Sequence, residues 1–80
     1  MRIPRDVSGQ ELCKALRQFG YIINRQKGSH IRLTTEVPSQ HHLTVPDHSV
    51  LRIGTLSSII EEVATHLYIE KAELVKRLFK

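Results

Sequence analysis

Three short runs of strand-forming residues lie so close together that the chain between them has few ways to connect them. They are YIINRQ at 21–26, HIRLTT at 30–35 and HHLTV at 41–45. A parallel pairing needs a crossover of about a dozen residues or more. Neither Lys27-Gly28-Ser29 nor residues 36–40 offers that length, so the runs are predicted to form an antiparallel meander. Gly28 can take a positive φ and suits a tight hairpin turn. Val37-Pro38-Ser39-Gln40 breaks the second run, and Pro46 closes the third.

Helical signals flank the meander. Ser8-Gly9-Gln10-Glu11 has the form of a capping box, with Ser8 as N-cap and Glu11 reaching back to it. Leu12, Leu16 and Phe19 recur at helical spacing, and Gly20 is placed to stop that helix. After the loop from Pro46 to Gly54, Thr55 is the expected cap of a second helix, with a stripe of Leu56, Ile59, Ile60, Val63 and Leu67. A last helix over about 70–79 would use Leu74, Val75 and Leu78. The order is therefore α-β-β-β-α with a short additional C-terminal helix, an α+β, two-layer domain expected to occupy the whole of residues 1–80.

Strand phase sorts the side chains of such a sheet. Ile31, Leu33, Leu43 and Val45 must face the helices. His30, Arg32 and Thr34 then share the opposite face with His42 and Thr44. The first run is not resolved in this way, because Ile22 and Ile23 are both apolar.

Composition narrows the class of partner. The formal net charge is +4 and the calculated pI about 9.6, a balance that favours anionic partners, nucleic acid above all. Residues 1–55 carry the excess, whereas 56–80 hold four basic and four acidic groups. Cys13 is the single cysteine, so no internal disulfide can form. Its apolar helical neighbours mark it as a buried small hydrophobe rather than a nucleophile. No run approaches membrane-spanning length and the N-terminal stretch lacks the apolar segment of a signal peptide, so a soluble cytoplasmic protein is expected.

Five histidines, at 30, 41, 42, 48 and 66, are the main chemical resource. Imidazole can accept or donate a proton near neutral pH, and beside cations it suits RNA cleavage. A zinc site is the competing reading, but it needs three or four converging ligands. His41 and His42 are strand neighbours that point apart, and no Cys pair completes a site. No metal or other cofactor is therefore expected. Surface histidines without a task are the third reading. His66 lies outside the stripe of the second helix and is assigned no function. There is no G-x-S-x-G, P-loop or dinucleotide motif.

Several stretches in order, SGQEL at 8–12, FGY at 19–21, QKGSHIRL at 26–33, LTVPDH at 43–48 and GTLSSII at 54–60, resemble the HicA-type mRNA interferase toxins of toxin–antitoxin pairs. The resemblance implies a fold like that of a double-stranded-RNA-binding domain (dsRBD), with the helices on one sheet face. It also implies metal-independent endoribonuclease activity on mRNA and silencing by a HicB-type antitoxin. The family's catalytic histidine, in its G-S-H motif, falls on His30. Its V-P-x-H segment falls on Val45, Pro46 and His48, which makes His48 a candidate proton partner, with His42 a second. Arg25, Lys27 and Arg32, with the Gly28-Ser29 turn, are the expected RNA contacts. The chain departs from the family in Glu61 and Glu62, where basic residues are common, and in Ile31 and Arg32, where an aromatic or another histidine is common. Its tail, residues 68–80, matches only loosely. A non-catalytic dsRBD-like RNA-binding module is the alternative function.

Overall fold

The computed structural model describes residues 2–79. Its elements run α1 (Gly9–Leu16), β1 (Ile22–Lys27), β2 (His30–Thr35), β3 (His41–Pro46), α2 (Ile53–Leu67) and α3 (Lys71–Leu78), with a 3₁₀ turn over Arg17–Phe19 after α1. The strands form one antiparallel sheet in the order β1-β2-β3. This is the predicted meander, and the α+β arrangement of helix, three strands and two helices is that of a dsRBD-like fold.

The capping box forms as expected. The Glu11 N–H donates to Ser8 Oγ at 2.9 Å, and the Ser8 N–H donates to Glu11 Oε1 at 2.8 Å. These bonds satisfy two of the backbone donors that a helix start leaves open. The next residue sets how closely α1 meets the sheet. A Cβ on Gly9 would lie 2.0 Å from the Pro46 carbonyl oxygen, so only glycine lets the helix start rest on the end of β3. The Gly9 N–H then donates to the His48 carbonyl at 2.9 Å.

Helix α2 departs from expectation at its start. Arg52, not Thr55, occupies the N-cap, and no side chain caps it. The cause lies one residue earlier. Leu51 is buried, and its N–H donates to the Val7 carbonyl at 2.7 Å. That anchor fixes the chain before residue 52, so the helix begins at once and Thr55 falls inside its first turn. Helix α3 begins after Glu70, close to the predicted place.

Ile31, Leu33, Leu43 and Val45 are buried as predicted, in one cluster with Leu12 and Leu16 of α1, Leu56, Ile60 and Val63 of α2, and Leu74 of α3. The other sheet face is open. Among the described residues no helix is long and apolar enough to cross a membrane.

At the far end of the sheet from the hairpin turn, Tyr21 is fully buried and its hydroxyl lies 2.7 Å from His41 Nδ1. His41 Nε2 is 3.1 Å from Glu62 Oε2, and the His66 ring stacks on His41 with centroids 4.4 Å apart. Burial, then the charge of Glu62, pushes the Tyr21 hydroxyl up to about 12. The phenolate is thus disfavoured in the folded state only. Stability from this source is complete below the ordinary value of 10.0 and is lost as pH rises toward about 12. That difference corresponds to about 2–3 kcal/mol. In urea denaturation, Tyr21→Phe should be less stable at neutral pH by about 1–2 kcal/mol. It should also lose stability less steeply than the parent above pH 10, and parallel pH curves would contradict this account.

Candidate functional site

The open face owes its chemistry to a register shift. Ile22 pairs with Thr34 and Ile23 with Leu33, after which Arg25, not Asn24, pairs with Arg32. Asn24 is the extra residue of a β-bulge, and a bulge reverses the phase of everything beyond it. Arg25 and Lys27 consequently stand on the same face as their partners Arg32 and His30, while Gln26 turns with Ile31 toward the helix side. The bulged Asn24 also reaches the open face, where its Nδ2 donates to Thr34 Oγ1 at 3.2 Å.

Arg25, Lys27, His30, Arg32 and Thr44 line a shallow hollow of about 380 Å³. His30, Arg25, Lys27 and Arg32 are all exposed. Among the described residues, the ion pairs are His41–Glu62, Lys71–Glu61 and Arg77–Glu73, so none involves a cation of the hollow. No side-chain hydrogen bond within the described residues holds the His30 ring. The hollow therefore presents three cations outside any described ion pair around one exposed imidazole, whose ring makes no hydrogen bond within the described residues. Such a site attracts an anion and can move a proton beside it.

The turn ahead of His30 is fixed by backbone. Gly28 has φ +57° with nothing within 4 Å of where a Cβ would stand, so its role is conformational rather than steric. The Ser29 carbonyl accepts from the Asp47 N–H at 2.7 Å.

Neither candidate proton partner lines this hollow. His42 pairs with Thr34, whereas His30 pairs with Pro46 four residues further along β3, a separation of roughly 13 Å. His42 Nδ1 is instead 2.9 Å from Thr34 Oγ1, which leaves Thr34 nearly buried although it stands on the open face. His48 is exposed in the loop after β3, where its carbonyl receives the Gly9 N–H, and its ring does not line the hollow. His41 and His42 point to opposite faces, as their adjacency on a strand requires. Among the described residues no group of three or more His, Cys, Asp or Glu side chains converges to hold a metal ion. Cys13 is buried in the core, and burial followed by the charge of Asp47 pushes its thiol up to about 11, a poor setting for a nucleophile.

Two contributors were not singled out from the sequence. Thr44 was placed on the open face by phase, with nothing to mark it as a wall of the hollow. Asp47 lies inside the LTVPDH stretch without any spacing signal. Its carboxylate accepts from Gln10 Nε2 at 3.1 Å and from Gln26 Nε2 at 2.9 Å.

A comparison with protein families matches residues 9–64 to the HicA toxin of bacterial toxin–antitoxin systems. The chain belongs to the HicA toxin family. The matched span runs from the start of α1 to near the end of α2 and contains the whole of the hollow. HicA membership assigns the chain a toxin role and implies a cognate antitoxin. Searches of curated proteins and of solved structures returned no match.

The turn geometry makes one direct prediction. Gly28→Ala should lower stability by about 1 kcal/mol, because an L-residue is strained at this φ, and Gly28→Asn should cost less. Urea denaturation measures both, and equal stability of all three chains would show that the turn relaxes out of the left-handed region.

Proposed function

We propose that this chain is an endoribonuclease that cleaves mRNA without a metal ion, with His30 as its catalytic general acid or base. The observation that carries the reading is the hollow itself, a single open imidazole ringed by Arg25, Lys27 and Arg32, in a member of a toxin family. RNA carries its own nucleophile. As the 2′-oxygen bonds to the adjacent phosphorus, the bond from phosphorus to the 5′-oxygen breaks. One proton must leave the 2′-hydroxyl and another must reach the departing 5′-oxygen. His30 handles proton transfer, and the cations stabilise the charge that builds on the phosphoryl oxygens. Arg25 and Arg32 contact the flanking phosphates, with Lys27 and the Gly28-Ser29 turn beside the scissile group. A HicB-type antitoxin silences the enzyme by covering this sheet face. The protein acts in the cytoplasm, where mRNA is its substrate.

His30→Ala should fold normally and lose cleavage of labelled RNA by about 10²–10⁴-fold. EDTA should leave the parent's rate unchanged, and a 2′-deoxy substitution at the cut position should block it. Cleavage by clean His30→Ala protein would sink the assignment. Binding by the parent without any cut product would replace it with the non-catalytic RNA-binding module.

The two arginines have a separate signature. Arg25→Ala combined with Arg32→Ala should weaken RNA binding and flatten its dependence on salt. Two lost phosphate contacts to a single strand would lower the slope of log K against log salt by about 1.4. A slope unchanged by the double substitution would place the phosphate contacts elsewhere.

A further inference from the structure

We infer that Asp47 is a positioning residue for His30, an assignment whose catalytic consequence rests on the ribonuclease reading above. Pro46 lies opposite His30 at the end of the sheet and has no N–H to donate. The next residue supplies the donor that closes this end: the Asp47 N–H meets the Ser29 carbonyl at 2.7 Å. The Asp47 side chain then holds the other half of the same turn. Its Oδ2 accepts from Gln26 Nε2 at 2.9 Å, and that amide also reaches the Gly28 carbonyl at 3.3 Å. Its Oδ1 accepts from Gln10 Nε2 at 3.1 Å, which ties the arrangement to α1.

Asp47 thus joins the end of β3 to the 27–30 turn through its N–H, and to β1 and the first helix through its carboxylate, from the side of the sheet opposite the hollow. The bulge at Asn24 makes this reachable, because it turns Gln26 to the helix side while leaving Lys27 beside His30. Asp47 touches neither the hollow nor an RNA bound in it. It acts by fixing the backbone from which His30 projects. Misplacement of a catalytic group by about 1 Å costs on the order of 10²-fold in rate. Loss of Asp47 should therefore appear in kcat, while substrate binding through Arg25 and Arg32, further along the strands, is kept.

The test compares Asp47→Ala, Gln26→Ala, Gln26→Glu and the swapped pair Gln26→Glu with Asp47→Asn against the parent chain. Steady-state cleavage of a labelled RNA is measured alongside amide hydrogen exchange at His30 and Ile31. Asp47→Ala should lower kcat by about 10–100-fold with KM nearly unchanged, and the two amides should exchange faster while those of α2 do not. Gln26→Ala, a change at an exposed position, should show a smaller loss of the same kind and serves if Asp47→Ala fails to fold. Gln26→Glu should reproduce the loss by setting two carboxylates together. The swapped pair should recover part of the kcat that Gln26→Glu loses, because the new amide donates to the new carboxylate and still accepts from Gln10, while the bond to the Gly28 carbonyl is not restored. Parent-like kcat in Asp47→Ala, or no recovery in the swapped pair, overturns the assignment while leaving the His30 reading intact. If the parent itself cuts no RNA, the ribonuclease reading fails and its catalytic consequence with it. Hydrogen exchange then decides the rest: faster exchange in Asp47→Ala supports the hold on the turn, and unchanged exchange overturns it.

Discussion

The pairing of β1 with β2 around one unpaired residue governs what this protein can present to solvent. A regular β1 would continue the phase of Ile22 and Ile23, sending Arg25 and Lys27 toward the helices and Gln26 outward. The bulge at Asn24 exchanges those directions. It brings two cations to His30 and its strand neighbour Arg32, and it gives the amide of Gln26 to Asp47. Asn24 repays the lost ladder position by bonding to Thr34. A backbone irregularity thus sets the electrostatics of the face and the support beneath its hairpin turn.

Charge is also partitioned between the two layers. The described carboxylate contacts to basic groups all draw on α2 or α3, where Glu61 and Glu73 pair with Lys71 and Arg77 and Glu62 Oε2 lies 3.1 Å from His41 Nε2. The acidic groups of α2 are therefore engaged at home rather than facing the hollow. Asp47 meets neutral amides, and Glu11 is spent on the capping box. The positive field of β1 and β2 is left standing, and an exposed field of this kind steers polyanions most strongly at low ionic strength.

Much of the frame was legible in the sequence because local signals agreed with one another. The capping box at Ser8, the stop near Gly20, the hairpin at Gly28 and the alternation of β2 and β3 each carry a mechanism, and each appears where expected. The phase of His30 and Arg32 followed from the same alternation. Two features were illegible for physical reasons. Nothing local distinguishes Asn24 as a bulge, since the shift answers to pairing with β2 rather than to propensity. The start of α2 is set by Leu51 bonding to Val7, a contact between distant parts of the chain. For the strand histidines 30, 41 and 42 alternation gives the face but not the distance, and for His48 in its loop it gives neither, so His42 and His48 could be proposed for a hollow that neither ring lines.

Helix α3 carries a consequence of its own. The family likeness ends at residue 64, yet Leu74, Val75 and Leu78 lie in the same core as the strands, and α3 packs against α2. At the other end, the Val7 carbonyl, outside the matched span, anchors the residue before α2. What is inherited as a signature is therefore shorter than what is needed to keep water out. Both margins supply apolar side chains to the core of this chain, so the matched span by itself would leave part of that core open to water.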